Sequence, residues 1–253
     1  MSADSSDSAD SSDSSDCIDY MQLGGGAEHA LRAFLTDCAG DEDECARRVE
    51  KRKQWRKDEC GVYFQRKNAH LYRSIAKYFP HGITGVDADG DVVFVACVGR
   101  INVLAAHAAG ITGTTIGEYG IGYMLSVCEQ TLPPLSGSRV TAVIDVSGIS
   151  LRHVPLAQKA GLMVGEIHYA HFPGIVKRIF IVNAGIVFSS AWRILRHLMT
   201  EDSQRITSIF RDHSPLLSNL PRDSLPEFLG GTVDNTRVFN ASHDDYWKQF
   251  NSL

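Results

Sequence analysis

The sequence predicts an α/β fold, a largely parallel β-sheet flanked by helices and preceded by a small helical lobe. Three observations lead there. Runs of β-branched and aromatic residues of buried-strand length recur at 92–98, 140–146, 179–182 and 206–210. Between them lie stretches with apolar residues near helical spacing, at 116–132, 155–172 and 188–199. Proline and glycine punctuate the limits: Asp89-Gly90 turns into the first of these strands, Pro133-Pro134 stops the first helix, and Phe172-Pro173 ends the second. Strands that alternate with helices favour parallel pairing through helical crossovers.

Taken in order, residues 1–26 form a Ser/Asp-rich tail, too polar and repetitive to bury anything and therefore expected to be disordered, with Gly24-Gly25-Gly26 as a hinge. Two roles stay open for it, a solubilising spacer and a phosphorylated regulatory segment. Residues 27–76 read as a charged helical lobe, with Leu31, Phe34 and Leu35 on one face and Val49, Trp55 and Val62 as later anchors. The main domain is expected over residues 77–235 and a C-terminal tail over 236–253. Period-two alternation places Val140, Ala142 and Ile144 on one face of their strand and Ile179 and Ile181 on one face of the next. In the last helix Phe188, Ala191, Trp192, Leu195, Leu198 and Met199 form an apolar stripe opposite Arg193, Arg196 and His197.

Charge and cysteine content narrow the function. The formal net charge is −5, and the six aspartates of the tail carry −6 of it, which leaves +1 for residues 20–253. A body so nearly neutral lacks the basic excess of a nucleic-acid binder, and no nucleic-acid partner is expected. The six cysteines form no Cys-x-x-Cys and have no histidines at zinc-finger spacing, so no metal is expected; Cys97 and Cys128 read as small buried hydrophobes in a reducing compartment. No apolar run reaches the length of about 20 residues that spans a bilayer, and the N-terminus is acidic where a signal would be basic, which predicts a cytoplasmic protein.

Catalytic constellations are not evident. Asp87-Ala88-Asp89-Gly90-Asp91 has its glycine too early for a calcium loop and Val98 where the closing glutamate should stand. Gly117-Glu118-Tyr119-Gly120-Ile121-Gly122 has dinucleotide-loop spacing only when read backwards. Asp212, His213 and Ser214 are consecutive and cannot converge as a triad, so they read as a polar loop before Pro215. There is no nucleophile elbow, phosphate loop or His-Glu-x-x-His. No cofactor and no enzymatic activity are expected.

From His168 to Thr232 the chain runs His171-Phe172-Pro173, Asn183-Ala184, Phe188-Ser189, Trp192 and then Leu225-Pro226-Glu227-Phe228-Leu229-Gly230-Gly231. In order and spacing this series resembles the CRAL-TRIO lipid-binding domain family, which includes the fungal secretory phosphatidylinositol/phosphatidylcholine transfer proteins. Upstream, Leu31 to Leu35, Cys45-Ala46, Trp55-Arg56-Lys57, Tyr78-Phe79-Pro80, Gly85-Val86-Asp87, Asp89-Gly90, Val143-Ile144-Asp145 and Gly148 are similar to the family in the same order.

The resemblance implies a CRAL-TRIO fold with a hydrophobic pocket, a lipid ligand, transient contact with a membrane surface, and helix 188–199 as a gate over the pocket. The candidate lipid-binding residues are Phe94, Ala96, Tyr119, Tyr123, Val140, Ala142, Ile144, Ile179, Ile181, Phe188, Trp192, Leu195 and Ile209. The family's phosphatidylcholine carriers hold hydroxyl residues at the positions of Val140 and Ala142. Its inositol-lipid site uses an acid and a base where this chain has Gly174 and Ile175, followed by a Thr and Lys where it has Ser203 and, after a one-residue shift, Arg205. Lys177, Arg178, Ser203 and Arg205 are the candidates for a headgroup phosphate, with surface ion pairing the other reading of the bases. The ligand is therefore open among a phospholipid, a sterol and an isoprenoid. A module of the same fold that binds a signalling protein is the main alternative, and an α/β enzyme the third.

Overall fold

The computed structural model describes residues 33–55, 69–119 and 140–239. After helical residues 33–37, helix α1 spans Glu42–Trp55. Asp41 accepts the Glu44 N–H at 3.0 Å as an N-cap, and the helix carries Glu42, Asp43 and Glu44 in its first turn and Arg52 and Lys53 in its last, matching the helix dipole at both ends. Helix α2 (Ala69–Tyr78) leads into strands β1 (His81–Val86) and β2 (Val92–Cys97), then α3 (Val103–Ala108), and residues 113–119 are again helical. Strand β3 (Val140–Asp145), helix α4 (Val154–His171), strand β4 (Val176–Val182) and helix α5 (Ile186–Leu195) follow, then α6 (Glu201–Arg205), β5 (Thr207–Ile209), a run of 3₁₀ turns and α7 (Thr236–Phe239).

The five strands lie in the order β1-β2-β3-β4-β5. β1 and β2 form an antiparallel hairpin across the Asp87–Asp91 turn, and every other pairing is parallel with a helical crossover. β4 starts three residues before the apolar run does, because pairing with β3 extends the ladder over Val176, Lys177 and Arg178. Conversely β5 is shorter than its apolar run, as an edge strand paired on one side only. Helix α5 begins two residues early, at Ile186, and its last turn tightens into a 3₁₀ segment, Arg196–Leu198.

Two layers cover the sheet. On one face Val93, Val95, Cys97, Val143, Phe180 and Val182 are sealed by Leu216, Leu220, Leu225, Leu229 and Val238 from the C-terminal turns. Burial beside Asp145 pushes the Cys97 thiol up to about 12, which leaves it an inert core residue. The Leu-Pro…Gly-Gly series builds the centre of this layer: Pro226 caps the 3₁₀ turn Glu227–Leu229, Gly230 ends it at φ 82°, and a Cβ at Gly231 would stand 1.9 Å from the Leu225 carbonyl oxygen. The other face packs against α2, α3, the 113–119 helix, α4 and the Phe172 that follows it. There Gly113 and Gly117 lie so close to α4 that a Cβ would meet the carbonyl oxygens of Leu156 and Ala160 at 2.5 and 2.8 Å. Of the glycines that resembled a reversed dinucleotide loop, Gly117 thus serves helix contact, and Gly120 and Gly122 lie outside the described residues.

The helical lobe docks on α4. Phe34, Cys45 and Val49 are its buried centre. Arg48 donates to the Tyr169 carbonyl at 2.6 Å and pairs with Asp37, bringing a cation to the carbonyl end of α4. Trp55 stacks on His171 with ring centroids 4.5 Å apart and meets Phe172 edge-on at 5.7 Å. Buried in that stack and faced by Lys51, Arg52 and Arg48, the His171 imidazole is pushed down to about 4.

Candidate functional site

Strand alternation sets the site. Phe94 and Ala96 on β2, Val140, Ala142 and Ile144 on β3, and Ile179 and Ile181 on β4 share the helix-covered face, in register across the parallel ladders. Ile209 pairs with Ile181 at the edge of that face and is 36% exposed. Two separate apolar clusters form there. Over β1 and β2, Phe94, Ala96 and Val140 pack with Ile75, Phe79, Ile101 and Tyr119. Toward the carboxyl ends of β3 and β4, Ile181 packs with Val146, Ala184 and Phe188, and the Phe188 and Trp192 rings of α5 stack at 5.8 Å.

Between the clusters the covering is incomplete. Ile144 and Ile179, at the centre of the sheet, are only partly buried, as is Trp192 above them, and the small Ala142 lies among them. On the opposite face the neighbouring Thr141, Val143, Phe180 and Val182 are all buried. Helix α4 repeats the asymmetry: although rich in apolar side chains, its Leu156, Ala160 and Met163 are only partly buried, and Leu162 and Val164 are exposed. Tyr119 is fully buried in the first cluster, as Val140 and Ala96 are, and lies edge-on to His81 at 5.5 Å. Tyr123 lies outside the described residues, and Leu195 ends the α5 backbone.

The four expected phosphate residues lie on two elements, Lys177 and Arg178 on β4 and Ser203 and Arg205 on α6. A β-bulge sets both Lys177 and Arg178 opposite Thr141, and this turns Lys177 to the carboxylates of the hairpin turn. Its ammonium donates to Asp87 at 3.1 Å, to Asp91 at 2.6 Å and to Asp89. Burial would raise the Asp87 carboxyl, but hydrogen bonds from Lys177, from the Asp91 and Asp89 backbone and from Thr141 outweigh it and hold it below its ordinary value. Lys177 is held above its own by the same three aspartates, against the opposing effect of burial. A lysine neutralised threefold is not free for a phosphate, which corrects the expectation for that residue. Arg205 is exposed and pairs with Asp202 at 2.7 Å. Ser203 belongs to the α6 N-cap, its N–H donating to Thr200 Oγ1 at 3.2 Å. Arg178 is exposed.

A second polar hub was invisible in the sequence. Asp145, fully buried at the end of β3, accepts from the Ser147 N–H and hydroxyl at 2.9 and 2.7 Å and from Asn183 Nδ2 at 2.8 Å, with Arg100 at 3.8 Å. Asn183 adopts φ 58°, a left-handed conformation that Asn tolerates better than most residues. The Asn-Ala pair therefore ties β4 to β3 and sets the start of α5.

A five-stranded mixed sheet with a parallel centre, sealed on one face and roofed by helices on the other, defines an α/β protein of the CRAL-TRIO architecture. The solved structure described as "Crystal structure of Sfh5" overlays with a TM-score of 0.60, covering 90% of this chain and 82% of that one at 15% identity. A profile of the CRAL/TRIO domain matches residues 76–231, and the chain belongs to that family. Among its relatives, phosphatidylinositol/phosphatidylcholine transfer protein SFH14 of Arabidopsis thaliana is 28% identical over 80% of this chain and 37% of its own length. SFH9 of the same plant is 26% identical, also over 80% of this chain and 37% of its own length. The Sec14 cytosolic factor of Schizosaccharomyces pombe is 25% identical over 78% of this chain and 74% of its own length. The chain thus spans little more than a third of those plant relatives. No helix among the described residues is long and apolar enough to cross a membrane.

Proposed function

We propose that this chain binds one hydrophobic lipid, a phospholipid, sterol or isoprenoid, between the helix-covered face of its sheet and helices α4 and α5, and carries it between membranes in the cytosol without catalysis. The observation that supports this most directly is the asymmetry of the sheet. One face is sealed, while the middle of the other, at Ile144 and Ile179 beside the small buried Ala142, is left partly uncovered under Trp192. A protein interior ordinarily packs to crystal density, so incomplete covering of central strands leaves room for an apolar guest. Helix α5, whose Phe188 and Trp192 roof that region, serves as the gate.

Native mass spectrometry with lipid extraction tests the reading. One bound lipid per chain is expected, and Ala142→Trp should abolish loading with the fold retained, because the indole fills the space between the clusters. An empty, compact wild-type protein would overturn the carrier and favour an interaction module.

Phosphatidylinositol is proposed to be a poor ligand. Ile175 packs against the first apolar cluster and Gly174 offers no side chain, so inositol hydroxyls buried there would lack partners, a loss of about 1–3 kcal/mol per group. Competition among phosphatidylinositol, phosphatidylcholine, phosphatidic acid and a sterol decides it, and a clear preference for phosphatidylinositol would refute it.

A further inference from the structure

Three aliphatic side chains stand in water at one end of the molecule. Leu104 is 67% exposed, Leu151 78% and Ile186 87%. They occupy the connections that leave the carboxyl ends of the adjacent parallel strands β2, β3 and β4. These connections are laced together. His153 Nε2 lies 3.1 Å from the Ile101 carbonyl oxygen, the Val146 N–H donates to the Val182 carbonyl at 3.1 Å, Asn183 bonds Asp145, and Val98, Ile149, Ala184 and Phe188 share one apolar cluster. The three aliphatics are thus carried on a braced surface.

Charge marks the same segments. Residues 98–117, 146–165 and 183–200 contain no Asp or Glu, although the chain as a whole has 30 in 253 residues. They do contain Arg100, Arg152, Lys159, Arg193 and Arg196. Arg100 is committed to Asp145, but Arg152, Lys159, Arg193 and Arg196 are exposed, and among the described residues none of these four has a carboxylate partner. Exposed aliphatics on acid-free segments that also carry exposed cations suit the headgroup boundary of an anionic bilayer, where apolar tips enter the acyl edge and cations meet lipid phosphates.

We propose that this end of the sheet is a docking face for anionic membranes, with Leu104, Leu151 and Ile186 as insertion points and Arg152 and Arg193 as the charges beside them. The choice of a bilayer as partner rests on the lipid-carrier reading, whereas docking requires neither a bound lipid nor movement of α5.

Flotation of the full chain with phosphatidylcholine vesicles, with and without phosphatidylserine, tests it. Wild type should float with the anionic vesicles and lose binding as salt rises. The triple variant Leu104→Ser/Leu151→Ser/Ile186→Ser should bind them at least about tenfold more weakly, with unchanged thermal unfolding because the sites are exposed. Arg152→Glu should weaken binding about fivefold or more. Lipid loading, measured on the double variant Leu104→Ser/Leu151→Ser, should be unchanged, so that an empty wild-type protein counts against the carrier and equal flotation counts against this face. Equal flotation of wild type and triple variant, or no anionic binding by wild type, overturns the proposal. So does a wild-type dimer that the triple variant abolishes, since the face would then be an interface between copies of the chain.

Discussion

Replacing Lys177 by Met keeps most of its aliphatic stem and deletes the ammonium that Asp87, Asp89 and Asp91 share. The three carboxylate oxygens lie within 4.8 Å of one another, and the lysine side chain is only 13% exposed, so little water can take the place of the lost charge. Removing one partner from a buried ion pair costs about 3–5 kcal/mol. Asp89 is open to solvent and lowers that figure, so about 3 kcal/mol is expected near neutral pH, a fall in Tm of roughly 6–12 °C for a domain of this size. The pH dependence distinguishes charge from packing. In wild type the Asp87 carboxyl titrates lower in the folded than in the unfolded chain, so its contribution is present at neutral pH and is lost as pH falls through the folded value. In the variant, repulsion among the uncompensated carboxylates opposes folding at neutral pH, and acid relieves that penalty. Urea unfolding at about pH 7 and about pH 5 should therefore show a gap between variant and wild type that narrows in acid. A gap below about 0.5 kcal/mol at neutral pH, or one of equal size at both, would refute the argument.

Other perturbations follow from the same contacts. His171 is 6% exposed with its folded value pushed down to about 4, so wild type should lose about 3 kcal/mol of stability as pH falls from about 6.5 to about 4, as the unfolded chain takes up the proton first; His171→Phe should flatten that stretch of the curve, and an unaltered curve would refute the assignment. Gly231→Ala should prevent or severely weaken folding, since its Cβ meets backbone at 1.9 Å, whereas Gly161→Ala, with nothing within 4 Å on an exposed helix, should raise stability by about 0.5–1 kcal/mol; chemical unfolding compares the two, and equal effects would contradict the packing described. Asn183→Gly keeps the left-handed backbone and Asn183→Ala does not, yet both lose the bond to buried Asp145, so each should cost about 1–3 kcal/mol with Ala the worse, as thermal melts can show.

The inward sets Phe94/Ala96, Val140/Ala142/Ile144 and Ile179/Ile181 were legible because strand alternation is a local period, carried by each segment whatever it pairs with. The α4 and α5 stretches were legible for the same reason, and Pro173 marked an end that holds in the structure. Strand β1 was harder to read, because Gly82 and Gly85 interrupt its apolar pattern and it gains its order from the hairpin with β2 and from α7 packed against it. What the sequence by itself determined was the fold class, the family and which residues face inward.

Tertiary structure alone decided the partners. Lys177 finds Asp87, Asp89 and Asp91 some ninety positions upstream only because β4 lies beyond β3 in the sheet and a single bulged residue re-aims its side chain. Asp145 meets Asn183 because parallel strands end side by side. The same is true of the uncovered centre at Ile144 and Ile179. Alternation says which way a side chain points, but how much lies above it depends on where helices arriving from distant parts of the chain come to rest, and no local pattern contains that distance.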